Sequence, residues 1–293
     1  MTALIATDLD RTLIYSRRFF DTIPPAHQCV EIYRDEPISY MTPAAADLLR
    51  QLTTRHVVVP TTTRTIVQYT RITLPGAPYR YAITSNGGNL LIDGAPDRQW
   101  TRTVAARIRA GGPPLTHILA ELQTRIDDSW VHNLRTAEDL FCYLVVDEAA
   151  LPSEFLADWQ QWCVPRGWAV SRQGRKIYTV PRSLCKAEAV AALHHQLIDT
   201  GELPAEAPIL AAGDGALDAA MLELASAAIR PAHGELHTLG WQRAHLTVSN
   251  AIGARAAEDI LAWFTARMSD ATPDPHRPVQ HNNAHLGERK DNR

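Results

Sequence analysis

Acidic residues stand directly after two apolar runs of the chain that are predicted to be strands. Asp8 and Asp10 follow the first run, and Asp214 and Asp218 follow a later one. Residues two apart on an extended segment share a face, so the side chains of Asp8 and Asp10 are expected to point the same way. Ligands of open parallel sheets bind beyond the carboxyl ends of the strands. The four carboxylates are therefore expected to meet at one site.

Such a group of carboxylates predicts a divalent cation. Like charges at close range resist ionising together, and a hard cation removes that conflict. Ligands that are all oxygen favour Mg²⁺ over zinc, and Mg²⁺ with few protein ligands keeps waters and takes a phosphate oxygen of the substrate. The predicted metal ligands are Asp8, Asp10, Asp214 and Asp218.

Two further residues provide what a phosphoryl group needs around its other oxygens. Thr62 follows another apolar run and offers a hydroxyl donor, whereas Lys186 begins a helical pattern and offers a cation. In such a site an aspartate can attack phosphorus and form an aspartyl-phosphate. A second aspartate two residues further on can then exchange protons with the leaving group and with water.

Composition excludes several classes of protein. The 293 residues are 45% hydrophobic and 21% charged, which is too apolar for a disordered chain. With 29 basic and 32 acidic residues there is no global positive field to hold a nucleic acid. No apolar run approaches the ~20 residues of a membrane helix. The beginning of the chain lacks the features of a signal peptide, and the cysteines are scattered. We therefore expect a soluble, cytoplasmic protein with no nucleic-acid or membrane partner.

Short apolar runs alternate with helical patterns over much of the chain, which is typical of βα units on a parallel sheet. The predicted fold is a doubly wound α/β domain. Its predicted strands lie at 4–7, 56–60, 81–84, 208–212, 227–229 and 246–248, and its helices at 42–52, 187–197, 216–224 and 254–267.

Three segments depart from this rhythm. Residues 14–41 form a long excursion after the first strand, with a predicted hairpin at 30–33 and 38–40. Residues 88–181 indicate an inserted α+β module, with strands at 89–92, 140–146 and 176–180. Residues 269–293 are so polar that a mobile tail is predicted.

The polar clusters, taken in order, resemble the four motifs of haloacid dehalogenase-like (HAD) phosphatases. The matching residues are Asp8-Leu9-Asp10-x-Thr12-Leu13, Thr62, Lys186 and Gly213-Asp214-x-x-x-Asp218. They frame nearly the whole folded chain. The resemblance implies a Rossmann-like core domain made of 1–87 and 182–268. The module at 88–181 is similar to a C2-type cap, as in Cof-like sugar phosphatases, sucrose-phosphate phosphatases and phosphomannomutases.

The resemblance also implies a role for each motif residue. Asp8 would be the nucleophile and a Mg²⁺ ligand, and Asp10 the general acid and base, with its backbone carbonyl on the metal. Thr62 and Lys186 would hold the phosphoryl group. Asp214 would ligate Mg²⁺, with Asp218 beside it as a ligand or behind it.

The run Ile83-Thr84-Ser85-Asn86-Gly87-Gly88 resembles the segment that leads into the cap in one branch of these phosphatases, which implies that Asn86 is a polar contact near the cap hinge. Arg64 and Arg175 are candidate contacts to the substrate or the cap. The module also carries a basic group of Arg172, Arg175 and Lys176, which is either a solvated surface or a contact to distal hydroxyls or a second anionic group of the substrate. Arg11 replaces the usual glycine of the first motif, a position that we expect to accept a side chain because it need not have positive φ.

The expected function is Mg²⁺-dependent hydrolysis of a small phosphomonoester, with a sugar phosphate as the class that the resemblance implies. One alternative is phosphoryl transfer within a sugar, as in phosphomannomutases. Another is a binding or regulatory protein whose HAD-like site turns over poorly, an alternative that Arg11 and the long excursion keep open. The expected partner is a small phosphorylated metabolite, and the sequence does not indicate an oligomeric state.

Overall fold

The computed structural model describes residues 2–20 and 27–270, with side chains described as far as residue 268. The strands are β1 Leu4–Thr7, β2 Gln28–Tyr33, β3 Glu36–Met41, β4 Val57–Pro60, β5 Tyr81–Thr84, β6 Asn89–Ile92, β7 Ala95–Pro96, β8 Val131–Ala137, β9 Phe141–Val146, β10 Trp168–Gln173, β11 Lys176–Pro181, β12 Ile209–Ala212, β13 Ala227–Arg230 and β14 Leu246–Val248. The α-helices are α1 Pro43–Thr53, α2 Ile66–Tyr69, α3 Arg98–Gly111, α4 Leu115–Gln123, α5 Phe155–Cys163, α6 Lys186–Asp199, α7 Ala219–Leu224, α8 Glu235–Thr238 and α9 Arg255–Asp270.

A parallel five-stranded sheet forms the centre of the fold, in the order β14-β13-β12-β1-β4. Its middle strands read as short, almost wholly apolar runs because both faces of the sheet are covered. An isolated parallel bridge between Thr61 and Ile83 places β5 beside the β4 edge, and β6 and β7 continue antiparallel from β5. The predicted doubly wound α/β fold is confirmed.

The excursion after β1 returns to the core as a hairpin. Strands β2 and β3 pair antiparallel, as predicted, and a bridge between Tyr15 and Tyr40 fastens the hairpin to the loop that follows β1. The chain then enters α1, where the Thr42 side chain accepts a hydrogen bond from the Ala45 backbone N–H and Pro43 begins the helix. This geometry places the hairpin beside the carboxyl end of β1.

The inserted module is built on a four-stranded antiparallel sheet, in the order β10-β11-β9-β8. Helices α4 and α5 pack on it, and the buried Trp159 of α5 donates a hydrogen bond to Thr179 of β11 at 2.8 Å. Strands β8 and β10 and helix α3 were not predicted from the sequence. Most side chains of β8 are exposed, as befits an edge strand, so it has no apolar run to detect.

The boundaries of the predicted segments differ little from those of the structure. Helix α9 continues to Asp270, so the first two residues of the predicted tail at 269–293 are helical, and the rest lies outside the described residues. The division into a core of 1–87 and 182–268 and a cap of 88–181 stays a prediction. No helix of the described chain has the length and apolar character needed to cross a membrane.

Candidate active site

The loops that leave β1, β4 and β12 meet at one edge of the central sheet. The backbone N–H of Asp8 donates to the Ala212 carbonyl at 2.9 Å, and that of Thr61 donates to the Thr7 carbonyl at 2.8 Å. These bonds extend the sheet pairing into the loops themselves. As a result the polar clusters that are remote in sequence are side by side, as predicted from the parallel topology.

Lys186 is the centre of the buried charge network. Its side chain is almost wholly buried, and its Nζ lies 2.6 Å from Asp8 Oδ1 and 2.6 Å from Asp218 Oδ1. Burial lowers the pKa of Lys186, but the two carboxylates outweigh burial and raise it above its usual value. Lys186 is therefore a permanent cation that fixes the position of the Asp8 carboxylate.

Asp8 has a strongly perturbed acidity. Burial raises the pKa of Asp8 to about 7, with a further contribution from the Asp218 charge, although Lys186 acts in the opposite direction. The Thr12 hydroxyl donates to Asp8 Oδ2 at 3.3 Å. Among the described residues, one lysine and one hydroxyl hold this buried carboxylate, which leaves it able to bind another cation or attack an electrophile.

Asp218 and Asp214 differ in what their oxygens contact. Asp218 Oδ2 accepts from the backbone N–H groups of Asp214 at 3.1 Å and Gly215 at 2.9 Å, so both of its oxygens are engaged. Among the described residues, Asp214 Oδ2 is buried and has no hydrogen-bond partner. Burial and the charges of Asp8 and Asp218 raise the pKa of Asp214 well above its usual value.

The backbone also leaves room for the free oxygen of Asp214. Gly234 has φ +92°, and a Cβ built on it would stand 2.6 Å from Asp214 Oδ2. A side chain at this position would therefore collide with the carboxylate. Glycine keeps the backbone close to Asp214.

This acidic cluster fits a divalent cation. Carboxylate oxygens of Asp8, Asp214 and Asp218 lie within 4.8 Å of one another, and all three side chains are buried. A buried oxygen without a partner and a carboxylate that is costly to ionise are both relieved by a hard cation. The Asp10 side chain is not in this cluster. The metal-ligand set predicted from the sequence, including the Asp10 carbonyl, stays a prediction.

Asp10 instead forms a bidentate ion pair with Arg64. Arg64 Nε lies 2.6 Å from Asp10 Oδ2, and Arg64 Nη2 lies 2.8 Å from Asp10 Oδ1. Burial raises the pKa of Asp10, but the charge and hydrogen bonds of Arg64 outweigh burial and hold it well below its usual value. Arg64 was assigned from the sequence as a candidate substrate or cap contact. In the structure its guanidinium contacts the predicted general acid.

Glu31, which the sequence analysis missed, holds the other side of Arg64. Its side chain is fully buried in the excursion hairpin, with Oε1 at 2.7 Å from Arg64 Nη1 and 3.4 Å from Arg71 Nε. Oε2 accepts from the Ser39 hydroxyl at 2.6 Å. A weak signal was present, because Glu31 interrupts the apolar pair Val30 and Ile32 inside a predicted strand. Its partners, however, are remote in sequence.

Arg11 contradicts one prediction. The position does have positive φ, +64°, so the side chain that replaces glycine stands in a left-handed backbone conformation. The Arg11 carbonyl accepts from the Tyr15 hydroxyl at 2.8 Å and contacts His233 Nε2 at 2.9 Å, which holds the turn in place. Arg11 Nε lies 3.6 Å from Asp214 Oδ2, an ion pair without a hydrogen bond.

Thr62 and Asn86 are connected through the backbone. Thr62 is fully buried, its hydroxyl accepts from the Arg64 N–H at 3.1 Å, and its carbonyl accepts from the Asn86 N–H at 3.0 Å. The Asn86 side chain donates to the Leu184 carbonyl at 2.9 Å. Asn86 thus joins the loop after β5 to the loop before Lys186, and this is the contact the structure shows for it.

Two glutamates join the inserted module to the core. Glu235 of α8 accepts from the Ser171 hydroxyl at 2.7 Å, the Arg172 N–H at 3.1 Å and, on the core side, the Ala216 N–H at 2.9 Å. At the other side of the module, Glu138 accepts from the Ser85 hydroxyl and from the Ile66 N–H. These hydrogen bonds join the module to loops at both ends of the site.

A cavity of about 340 Å³ remains between the module, the excursion and the loops that follow β1 and β4. Asp10 and Arg64 form one part of its wall, and Arg175, a predicted substrate or cap contact, forms another. Its volume falls in the range of small-molecule sites. The basic members of its lining are Arg11, Arg18, Arg64, Arg175 and Lys176.

Comparisons with known proteins agree with this fold. No protein-family model and no curated protein sequence matches the chain. Among solved structures, the sucrose-phosphatase of Synechocystis sp., in complex with sucrose and phosphate, superposes with a TM-score of 0.62 at 14% identity, covering 90% of this chain and 99% of that one. A Thermoplasma acidophilum protein has a TM-score of 0.55 at 17% identity, covering 90% and 99%.

A trehalose-6-phosphate phosphatase related protein has a TM-score of 0.52 at 18% identity. The match covers 92% of this chain and 100% of that one. Identities this low show a shared fold. These structures share the doubly wound α/β fold that the sequence predicted. Function has to be argued from the site itself.

Proposed function

We propose that the protein is a Mg²⁺-dependent phosphomonoester hydrolase that acts on a small metabolite, with sugar phosphates as the favoured class. One observation carries the proposal: Lys186 holds Asp8 in place beside an Asp214 oxygen that has no hydrogen-bond partner among the described residues, at the carboxyl edge of a parallel sheet. The likeness to phosphatase structures supports the same reaction class, and the sugar preference rests on that likeness alone.

Asp8 is the nucleophile in this proposal. Its carboxylate attacks phosphorus, the bond from phosphorus to the leaving-group oxygen breaks, and an aspartyl-phosphate forms. Lys186 keeps the attacking oxygen in position and, with the Thr62 hydroxyl, offsets the negative charge of the transferring group. Water then attacks phosphorus, inorganic phosphate leaves, and the Asp8 carboxylate is restored.

Asp10 moves the protons. It gives a proton to the leaving-group oxygen in the first step and takes one from the attacking water in the second. Its pairing with Arg64 favours the ionised form, so Asp10 takes up a proton from solvent water once Arg64 has exchanged its hydrogen bonds with the substrate. Arg64 is thereby placed to bind an arriving phosphoryl group.

Asp8 and Asp214 would hold the Mg²⁺ ion, with Asp218 fixing the loop behind them through its bonds to two backbone N–H groups. When bound, the ion supplies positive charge to the phosphoryl oxygens and relieves the repulsion between the carboxylates. The buried Asp214 Oδ2, which has no hydrogen-bond partner among the described residues, supports this assignment.

Phosphate release from a panel of phosphorylated sugars, polyols and nucleotides tests the proposal. We expect release that requires Mg²⁺ and disappears in Asp8→Asn, whereas the exposed Asp128→Asn serves as the matched control and retains it. Absence of release from every member by a folded wild-type protein would contradict the proposal. Release that persists in Asp8→Asn would contradict the assignment of the nucleophile.

A binding protein with weak turnover is the second candidate, and a specific observation favours it. The predicted general acid is held in its ionised form by Arg64, and Arg11 stands beside Asp214 where a glycine is usual. This candidate predicts that phosphorylated ligands raise the melting temperature of both wild type and Asp10→Asn, with no phosphate released by either. Release by wild type alone decides for the hydrolase.

A further inference from the structure

We infer that the cavity beside Asp10 is a subsite for a second anionic group, so that the favoured substrates carry a carboxylate or a second phosphate besides the phosphoryl group that is removed. This inference rests on the proposed function and specifies its substrate class. It is carried by three basic side chains of the cavity wall, Arg18, Arg175 and Lys176, which we call the basic triad.

The triad adds positive charge to that of the arginines that are already paired with carboxylates. Arg64 is neutralised by Asp10 and Glu31, and Arg11 faces Asp214. In the part of the chain that the structure describes, no member of the triad has a carboxylate within ion-pair distance. Asp10 is the single acidic residue of the cavity wall, and both of its oxygens are bound to Arg64.

The members of the triad come from two parts of the molecule that meet at the cavity. Arg18 belongs to the excursion, whereas Arg175 and Lys176 belong to the turn between β10 and β11 and to the start of β11. A Cβ built on Gly174 of that turn would lie 3.7 Å from Arg18 Nη2, so the two parts are in contact. Lys176 is half-buried beside the Tyr143 ring, with its Nζ at 5.8 Å from the ring centroid.

The basic group of Arg172, Arg175 and Lys176 was interpreted from the sequence as either a solvated surface or a contact to substrate. The structure distinguishes its members. Arg172 is partly buried, pairs with Glu148 at 3.4 Å and does not line the cavity, so its charge already has a partner elsewhere. Arg175, which is exposed, and the partly buried Lys176 line the cavity together with Asp10 and fit a contact to substrate. Arg18 and Arg175 are exposed, so solvent screens their repulsion, but an anion in the cavity would gain contacts to all three cations.

Size limits the occupant. A cavity of about 340 Å³ that must also contain part of the phosphoryl donor admits a group such as a carboxylate or one phosphate on a short carbon chain. Guanidinium groups bind both of these anions through paired hydrogen bonds, and the lysine adds a point charge. The subsite is therefore expected to select charge more than sugar stereochemistry.

Matched pairs of substrates test the subsite. The pairs are glucose 6-phosphate with 6-phosphogluconate, and fructose 6-phosphate with fructose 1,6-bisphosphate, assayed with Mg²⁺. We expect the anionic member to have a kcat/KM higher by about tenfold or more, the effect of roughly one charge-assisted hydrogen bond. The preference should shrink as salt is raised, because the triad is partly exposed.

Variants test which residues cause the preference for the anionic member of each pair. In Arg175→Gln with Lys176→Gln the ratio of kcat/KM within each pair should fall towards one, mainly through KM of the anionic member. Arg172→Gln removes one charge from the same hairpin outside the cavity and should keep the wild-type ratio. Because the readout is a ratio measured on one protein sample, partial loss of folded protein does not imitate the effect.

Binding provides a readout that does not need turnover. Calorimetric titration of Asp8→Asn with each pair, in the presence of Mg²⁺, should show the same preference. Equal kcat/KM and equal affinity within the pairs would overturn the inference while leaving the hydrolase intact. Absence of phosphate release together with preferential binding of the anionic member would overturn the proposed function and leave the subsite.

Discussion

Arg64 binds both carboxylate oxygens of Asp10 and uses its remaining Nη1 to bind the buried Glu31. The predicted proton-transfer residue is thus connected, through one guanidinium, to a hairpin that is not part of the central sheet. The hairpin of β2 and β3 is therefore part of the site rather than a surface insertion.

Replacing Arg64 should change the acidity of the proton-transfer residue. In Arg64→Gln the charge that lowers the pKa of Asp10 is lost, and burial then raises that pKa. We expect the limb of the pH profile of kcat/KM that reports Asp10 to move to higher pH. The measurement is phosphate release between pH 4 and 9. Arg71→Gln also removes an arginine from Glu31 but does not touch Asp10, and an equal displacement in that control would contradict the assignment.

Glu31 should contribute to stability beyond its hairpin. Its carboxylate is fully buried between Arg64, Arg71 and Ser39, and removing one partner of a buried ion pair costs about 3–5 kcal/mol. We expect Glu31→Ala to lower the free energy of unfolding in urea by that order. Glu36→Ala, an exposed glutamate of the same hairpin, is the control and should change it little. Similar losses of unfolding free energy in the two variants would contradict a stabilising role for the buried Glu31 ion pairs.

Arg11 should weaken metal binding. Its guanidinium stands 3.6 Å from the free oxygen of Asp214, where its charge repels a cation, and its φ of +64° is accessible to glycine without strain. We expect Arg11→Gly to bind Mg²⁺ more tightly than wild type in calorimetric titration at fixed ionic strength. Arg17→Gln removes a nearby exposed charge as the control. Unchanged affinity in Arg11→Gly would mean that the two groups separate when the metal binds.

The metal-free protein should lose stability as the pH rises. The pKa of Asp8 is about 7 in the folded protein against a reference value of 3.8, so folded Asp8 retains a proton that the unfolded chain releases. Between these two values each increase in pH therefore favours the unfolded state. We expect the free energy of unfolding, measured in urea with a chelator, to fall between pH 5 and pH 8 and to fall less in Asp8→Asn. An identical slope in both proteins would contradict the raised pKa, and Mg²⁺ should flatten the wild-type slope.

Local sequence patterns determined much of the architecture. The apolar run at 4–7, the Thr42-Pro43 start of α1 and the alternation of strands and helices each depend on neighbouring residues, so they could be predicted without tertiary information. The motif aspartates could be placed at one sheet edge because parallel topology constrains where strand ends lie. Edge strand β8 escaped prediction because its exposed side chains carry no apolar pattern.

The order and chemical types of Asp8, Asp10, Thr62, Lys186, Asp214 and Asp218 by themselves determined where phosphate chemistry is to be sought. Tertiary structure alone decided which charge neutralises which. Lys186 reaches Asp8 across 178 positions of the chain, and Arg64 reaches Glu31 across 33. Such pairings depend on distances and burial that are set when the whole fold packs, and no local pattern of residues encodes them.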